Sequence, residues 1–414
     1  MTNHKQQRSW ISAAALQATN IALAVFLAVL VVSPSAQAQF KVLYSFKGAP
    51  DGDTPVGPLL SYNEADFVGT TSTGGTDGQG TIFRLRHGFE WTYTVLHSFD
   101  HAKSEGSSPV GSLVRDSAGN LYGTTSAGGD PNCSCGTVFK LHTNGVLTVL
   151  HRFTGKPDGA YPYAGLVLDR KGNLYGTTQH GGLPCKFNFG QECGVVFKVD
   201  ASGKETLLHY FAGGWDGGVP GYGALIMDRR GVLYGTTSLG GQLDFAGVGA
   251  VFELHRNGTL KVLHSFTGPD GSQPFGGVFL LGTTLYGTTS QGGTGGGGTV
   301  FDLDTLTGKE TVLYNFTDHA DGGYPQSDLV PDDTGQQFWG TTYGGGIFTD
   351  CPGSGCGTVF SVPVGGGEKV LHKFSNSDGA FPWSGPIRIR ETLYGTASRG
   401  GDFGVGVVYE IHTK

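Results

Sequence analysis

Leu121-Tyr122-Gly123-Thr124-Thr125, with Gly128-Gly129 and Gly136-Thr137-Val138-Phe139 behind it, is one copy of a phrase that this 414-residue chain repeats seven times. A run ending in Phe, such as Val149-Leu150-His151-Arg152-Phe153, and an acid-Gly-x-x-Pro turn complete each unit. The glycine at the third place of the central word, or of its variants, falls at Gly69, Gly123, Gly176, Gly235, Gly287, Gly340 and Gly395. The steps of 54, 53, 59, 52, 53 and 55 residues match one four-stranded propeller blade. In the third unit the spacing predicts an inner strand at Gly165 to Leu168 and a hairpin over Asp169 to Asn173. The second strand follows at Leu174 to Thr178, the third at Val195 to Val199 and the outer strand at Leu207 to Phe211.

The seventh unit ends before its outer strand, whereas an orphan outer-strand word, Val42-Leu43-Tyr44-Ser45-Phe46, precedes the first inner strand. The fold expected is therefore all-β: a seven-bladed propeller of four-stranded antiparallel blades, its last blade completed by an N-terminal strand at about 41–46. Closing the ring removes the sheet edges an open array would expose. Loops joining second to third strands and outer to inner strands then share one face, which gathers the insertions near Lys186 to Glu192, Gln242 to Gly247 and Ile347 to Gly355. A ligand site belongs on that loop-rich face near the axis.

Composition would mislead by itself, since 73 glycines and 15% charged residues could describe a low-complexity segment. Periodicity excludes that. Lys5 and Arg8 precede an apolar stretch from Ile21 to Val32, and Ala36-Gln37-Ala38 follows as a small-x-small motif. This is the pattern of a signal peptide covering 1–38, with residues 39–414 as one propeller domain. The alternative is an uncleaved anchor, for which the apolar core is shorter than the roughly 20 residues a span needs. The net charge of −7 loses two positive charges with that segment, reaching −9, and no basic stripe suits nucleic acid. A soluble, monomeric protein, periplasmic or extracellular and without a stable membrane anchor, is expected.

Six cysteines fall in three local pairs, Cys133 with Cys135, Cys185 with Cys193 and Cys351 with Cys356, each between the Gly-Gly word and the third strand. Disulfides that staple loops are the natural reading in an exported chain, and a metal site is the alternative. No metal and no cofactor is called for.

Two series recur with the repeat. Asp51, Glu105, Asp158, Asp216, Asp270, Asp321 and Asp378 open the Gly-x-x-Pro turns, where an acid caps a turn. His97, His151, His209, His264 and His372, with Tyr44 and Tyr314, recur on the outer strands. Their interchange with Tyr points to packing. Departures from the repeat carry more information: Tyr161, Tyr163, Trp215, Tyr222, Phe275, Tyr324, Phe381 and Trp383 sit in or beside the turns. Flat rings with polar edges suit sugar stacking or a protein interface, and packing between blades is the plainer account. Tyr163, Trp215, Tyr222 and Trp383 are the candidate ligand-binding aromatics. His180 and Arg399, which replace the usual residue before Gly-Gly, join them. No nucleophile elbow, phosphate loop, His-Glu-x-x-His or dinucleotide fingerprint occurs, so catalytic residues are not assigned.

With these words the chain resembles the GloVer (Gloeo_Verruco-type) tandem-repeat family of exported bacterial proteins. The resemblance rests on Gly119-Asn120-Leu121-Tyr122-Gly123-Thr124-Thr125, Gly128-Gly129, Gly136-Thr137-Val138-Phe139 and Val149 to Phe153, repeated across the chain. It implies a propeller, export and often a C-terminal surface anchor, which is not expected here because the sequence stops at Lys414; it carries no established activity. The function expected is a binding or interaction scaffold for extracellular carbohydrate or protein. The alternative is a propeller enzyme, a hydrolase or lyase on polysaccharide or lactone, with carboxylates at the axial mouth.

Overall fold

The computed structural model describes residues 39–186, 192–241 and 247–413. The expected signal segment lies outside them, as do parts of two of the insertions. Phe40–Thr413 forms one compact unit of seven antiparallel blades arranged as a propeller, each with the four strands in the order read from the repeat. The fourth blade adds a short strand, Val219–Pro220, and a two-stranded ladder joins Gly52–Asp53 to Thr73–Gly74. In the third blade Val167–Leu168, Leu174–Thr178, Val195–Val199 and Glu205–Tyr210 pair in sequence.

The last blade is closed from the other end of the chain. Phe40–Ser45 pairs antiparallel with Val407–His412, placing Tyr44 opposite Val408. The sheet that Ile387–Ile389 begins is finished by the N-terminal strand, which is the outer strand of the last blade.

The repeated words are explained by contacts made in every blade. A methyl group built on Gly123 would lie 2.7 Å from Cζ of Phe139, its partner on the neighbouring strand. The glycine therefore makes room for a ring that is fully buried. That ring is met edge-on by the Phe ending the outer strand of the preceding blade. The pairs are Phe99 with Phe139, Phe153 with Phe197, Phe211 with Phe252, Phe266 with Phe301, Phe316 with Phe360, Phe374 with Tyr409 and, across the closure, Phe46 with Phe83. Their centroids are 5.0 to 5.3 Å apart.

The threonines link blades and strands. The first Thr hydroxyl donates to a carbonyl of the next blade, Thr124 to Ala164, Thr236 to Gly276, Thr288 to Ser327, Thr341 to Ser384 and Thr396 to Gly57, over 2.9 to 3.3 Å. In four blades the second bonds the third-strand Thr of its own blade, as Thr125 does Thr137 at 2.9 Å. Close packing and hydrogen bonding thus share this strand.

A feature not foreseen is a bulge in the pairing of third and outer strands in all seven blades. Phe139 faces Val149 and Val138 faces His151, so Leu150 is the extra residue. The bulge bends the strand end. There His151 and Phe153 lie ring to ring at 4.8 Å.

Two predictions follow from closure. Phe46→Ala empties a fully buried aromatic site and should cost about 3–5 kcal/mol, read from denaturant melts. Deleting residues 39–47 should lower the melting temperature of the whole domain, and an unchanged melt would refute the role given to this strand.

Candidate functional site

The loop-rich face is built by backbone bonds between neighbouring blades. Tyr161 N–H donates to Cys135 O, Gln273 to Val248, Tyr324 to Gly297, Phe381 to Cys356 and Thr54 to Val405. Each ties an acid-Gly-x-x-Pro turn to the loop between the second and third strands of the blade before it. Disulfides Cys133–Cys135, Cys185–Cys193 and Cys351–Cys356 lie in three of those loops, paired as the spacing suggested.

The acid series and the His/Tyr series, read separately in the sequence, meet one to one. His97 is 2.9 Å from Glu105, His151 3.1 Å from Asp158, His209 3.3 Å from Asp216 and His264 2.9 Å from Asp270. Tyr44 and Tyr314 hydroxyls donate to Asp51 and Asp321 at 2.8 and 3.0 Å. His372 Nε2 sits 3.1 Å from Asp378 without the alignment of a hydrogen bond. The acids also accept turn N–H groups, as Asp158 does from Thr154 at 2.7 Å. Burial opposes ionisation of Asp158, yet His151 and the Thr154 donors outweigh it and hold the carboxyl below the ordinary Asp range. The same balance, with its own His partner, lowers Asp216, Asp270 and Asp378. These groups are the joints of the turns.

At three interfaces the next outer strand adds a glutamate. Glu205, Glu310 and Glu368 approach Asp158, Asp270 and Asp321, and one oxygen of each is buried without a partner. Burial, and then the neighbouring carboxylate, pushes each up to about 7. His151, Asp158 and Glu205, and likewise His264, Asp270 and Glu310, bring ligand atoms within 4.8 Å of one another. These are the residue sets that could hold a divalent ion among the described residues. The His–acid pair also occurs where the added residue is Leu147, Leu260 or Phe40, so the pair itself belongs to the turn.

The axis carries a different chemistry. A cavity of about 460 Å³ opens there, lined by the segments leading into the inner strands of blades one to four, six and seven. Tyr163, Tyr222 and Trp383, three of the six residues singled out by sequence, converge on it. Tyr222 meets Tyr163 edge-on at 5.4 Å and reaches Trp383, from a blade that is not its neighbour, at 5.8 Å. Tyr343 supports Trp383 at 5.1 Å. Burial and the neighbouring tyrosines raise the Tyr163 hydroxyl above its ordinary range.

Tyr222 reaches so far because blade four has one residue more than the others between its turn proline and inner strand. The surplus leans on blade five. Tyr222 and Gly223 N–H both donate to Phe275 O, at 2.7 and 3.0 Å, and a Cβ on Gly223 would stand 1.7 Å from Gly277 N.

The other three candidates lie off the cavity. Trp215 is 60% exposed in the fourth turn. His180 places Nδ1 2.9 Å from the Glu192 carbonyl and stands edge-on to Tyr161. Arg399 pairs its backbone with Ala380 and exposes its side chain.

Sequence reasoning missed Asp328. It is the one charged side chain lining the cavity among the described residues, and its Oδ1 accepts the Gly277 N–H at 2.5 Å. Surrounding protein raises its carboxyl above the ordinary Asp range, although the side chain is open to the channel. Its signal was positional: three residues after the turn proline the other units carry Pro58, Ser112, Gly165, Gly223, Gly277 and Gly385. Gln326, two residues before Asp328, also lines the cavity, with its amide oxygen unpartnered.

The Gloeobacter/Verrucomicrobia repeat family model matches residues 28–246 and 133–351. The chain belongs to that family. No curated protein matches this family member in sequence. Among solved structures it is similar to the WD40 β-propeller domain of Doa1, at 11% identity over 89% of this chain and 96% of that one, with a TM-score of 0.54. It is also similar to an oligogalacturonate lyase from Vibrio parahaemolyticus, at 11% identity over 92% and 95%, with a TM-score of 0.52. At such identity the likeness is one of fold, and the fold serves binding domains and enzymes alike. No described helix of this repeat protein is long and apolar enough to cross a membrane.

The raised glutamates give a pH dependence with a definite sign. Glu368 holds its proton more tightly folded, about 7 against an ordinary 4.5, so its share of stability is lost as pH rises through that interval. Glu368→Gln should leave the melting temperature near pH 5 almost unchanged and raise it by a few degrees near pH 8. Parallel melting curves across that range would count against the assignment. The lowered aspartates act oppositely, their contribution disappearing only as pH falls below the ordinary Asp range.

Proposed function

We propose that this protein is an exported binding propeller whose axial cavity takes carbohydrate on the loop-rich face. The observation that carries the reading is the convergence of Tyr163, Tyr222 and Trp383 on one cavity with a few polar groups at its wall. Rings offer apolar faces to the C–H side of a sugar, while hydroxyls, an amide and a carboxylate meet its edge. The volume of about 460 Å³ is within the range of small-ligand sites.

Export is supported by the charged and apolar pattern of residues 1–38 and by three disulfides, which persist in oxidising compartments. The glycosidase reading calls for two carboxyl groups about 5–9 Å apart. Asp328 is the one acid among the described lining residues, which favours binding.

A glycan array with wild-type protein, Trp383→Ala and Trp215→Ala tests the reading. Wild type should bind, Trp383→Ala should weaken binding about tenfold or more, equivalent to about 1.4 kcal/mol, and Trp215→Ala should bind as wild type. Silence of the wild type towards every glycan, in protein whose fold is intact by circular dichroism, would set the carbohydrate reading aside.

A further inference from the structure

We infer that the axial cavity selects a sugar bearing a free, protonated amine, and that Asp328 is the residue that selects it. This rests on the carbohydrate reading above and narrows it to one class of ligand.

Charge is the first consideration. No Lys, Arg or His lines the cavity among the described residues, so nothing there balances Asp328. One carboxylate oxygen is engaged by Gly277 N–H, and the other has no protein partner among the described residues. The Asp328 side chain is open to the cavity while the protein around it disfavours its ionised form, so a cationic group brought beside it restores the charge and pairs with it, as a neutral group cannot.

The aromatic rings point the same way. Tyr163, Tyr222 and Trp383 carry negative faces that attract a cation, so the wall and the rim favour the same ligand charge. A neutral hydroxyl could satisfy the open oxygen as a donor, but it would leave the charge unbalanced. Gln326 adds a polar side chain to the same wall.

Depth sets the shape. Trp383 and Gln326 each follow their turn proline directly, and Asp328 lies two residues farther along its segment. In extended chain that is roughly 6–7 Å. A sugar ring resting on the aromatic rim can therefore direct an amine towards Asp328. The symmetry of the ring isolates this feature, because the equivalent residues in the other six blades are Pro, Ser or Gly.

Calorimetric titration at about pH 6 with three β-1,4-linked trimers, of glucosamine, of N-acetylglucosamine and of glucose, tests the inference. Amines of this kind are largely protonated there. Wild type should favour the glucosamine trimer by about tenfold or more, and Asp328→Asn should abolish that preference while still binding the neutral trimers. Asparagine keeps the size of the side chain and an acceptor for Gly277, so the fold is expected to survive. Equal binding of all three by wild type, weakened by Trp383→Ala, would overturn the amine selectivity and leave the carbohydrate reading standing. A preference that persists in Asp328→Asn would trace to the overall negative charge and overturn the role of Asp328. Failure of all three trimers would count against both readings.

Discussion

The structure depends on one contact made seven times: the edge of an outer-strand Phe set against the third-strand ring of the following blade. Such pairs add about 0.5–1.5 kcal/mol each beyond the burial of their surface, and here every outer-strand member is fully buried. The contact constrains both strands it joins. The third-strand ring overlies a position where only glycine fits, and the bulge before the outer-strand Phe sets the direction from which that Phe arrives. The seventh contact, Phe46 on Phe83, joins the N-terminal strand to the first blade. The closing strand is therefore held through its hydrogen bonds to the last blade and its ring contact with the first.

Residues that recur in every unit serve this ring. Each His or Tyr at the end of an outer strand meets the acid that opens the next turn, and each turn is bonded to the loop before it. The two series looked like separate candidates for chemistry in sequence. In space they are one joint, repeated, that fixes where an outer strand ends and where the path to the axis begins.

Chemistry gathers where repetition stops. The segments between turn proline and inner strand meet the repeated Thr hydroxyls through backbone carbonyls, so the side chains that begin them are free to vary. Val56, Val110, Tyr163, Gln326 and Trp383 occupy equivalent places around the cavity. One surplus residue in the fourth unit carries Tyr222 across to Trp383, so that blades which are not neighbours meet at the cavity. Asp328 introduces charge into a tier of small residues. Each departure is a local change of one residue, and the rigid ring allows it because the load is borne elsewhere.

Sequence alone determined the architecture, the number of blades and the join between the chain ends, because those follow from a period and from an orphan strand word that can be counted. It also identified Tyr163, Tyr222 and Trp383 as unusual, since aromatic rings beside turns stand out against a glycine-rich background. It did not show that these three converge while Trp215, His180 and Arg399 stand apart, nor that Asp328 is the charge lining the same cavity among the described residues. Those outcomes depend on which residues, separated by one to four blades, are brought together at the axis, and on whether a side chain points inward or along the rim. Strand periodicity sets alternation within a blade, but only the closed ring sets distances between blades.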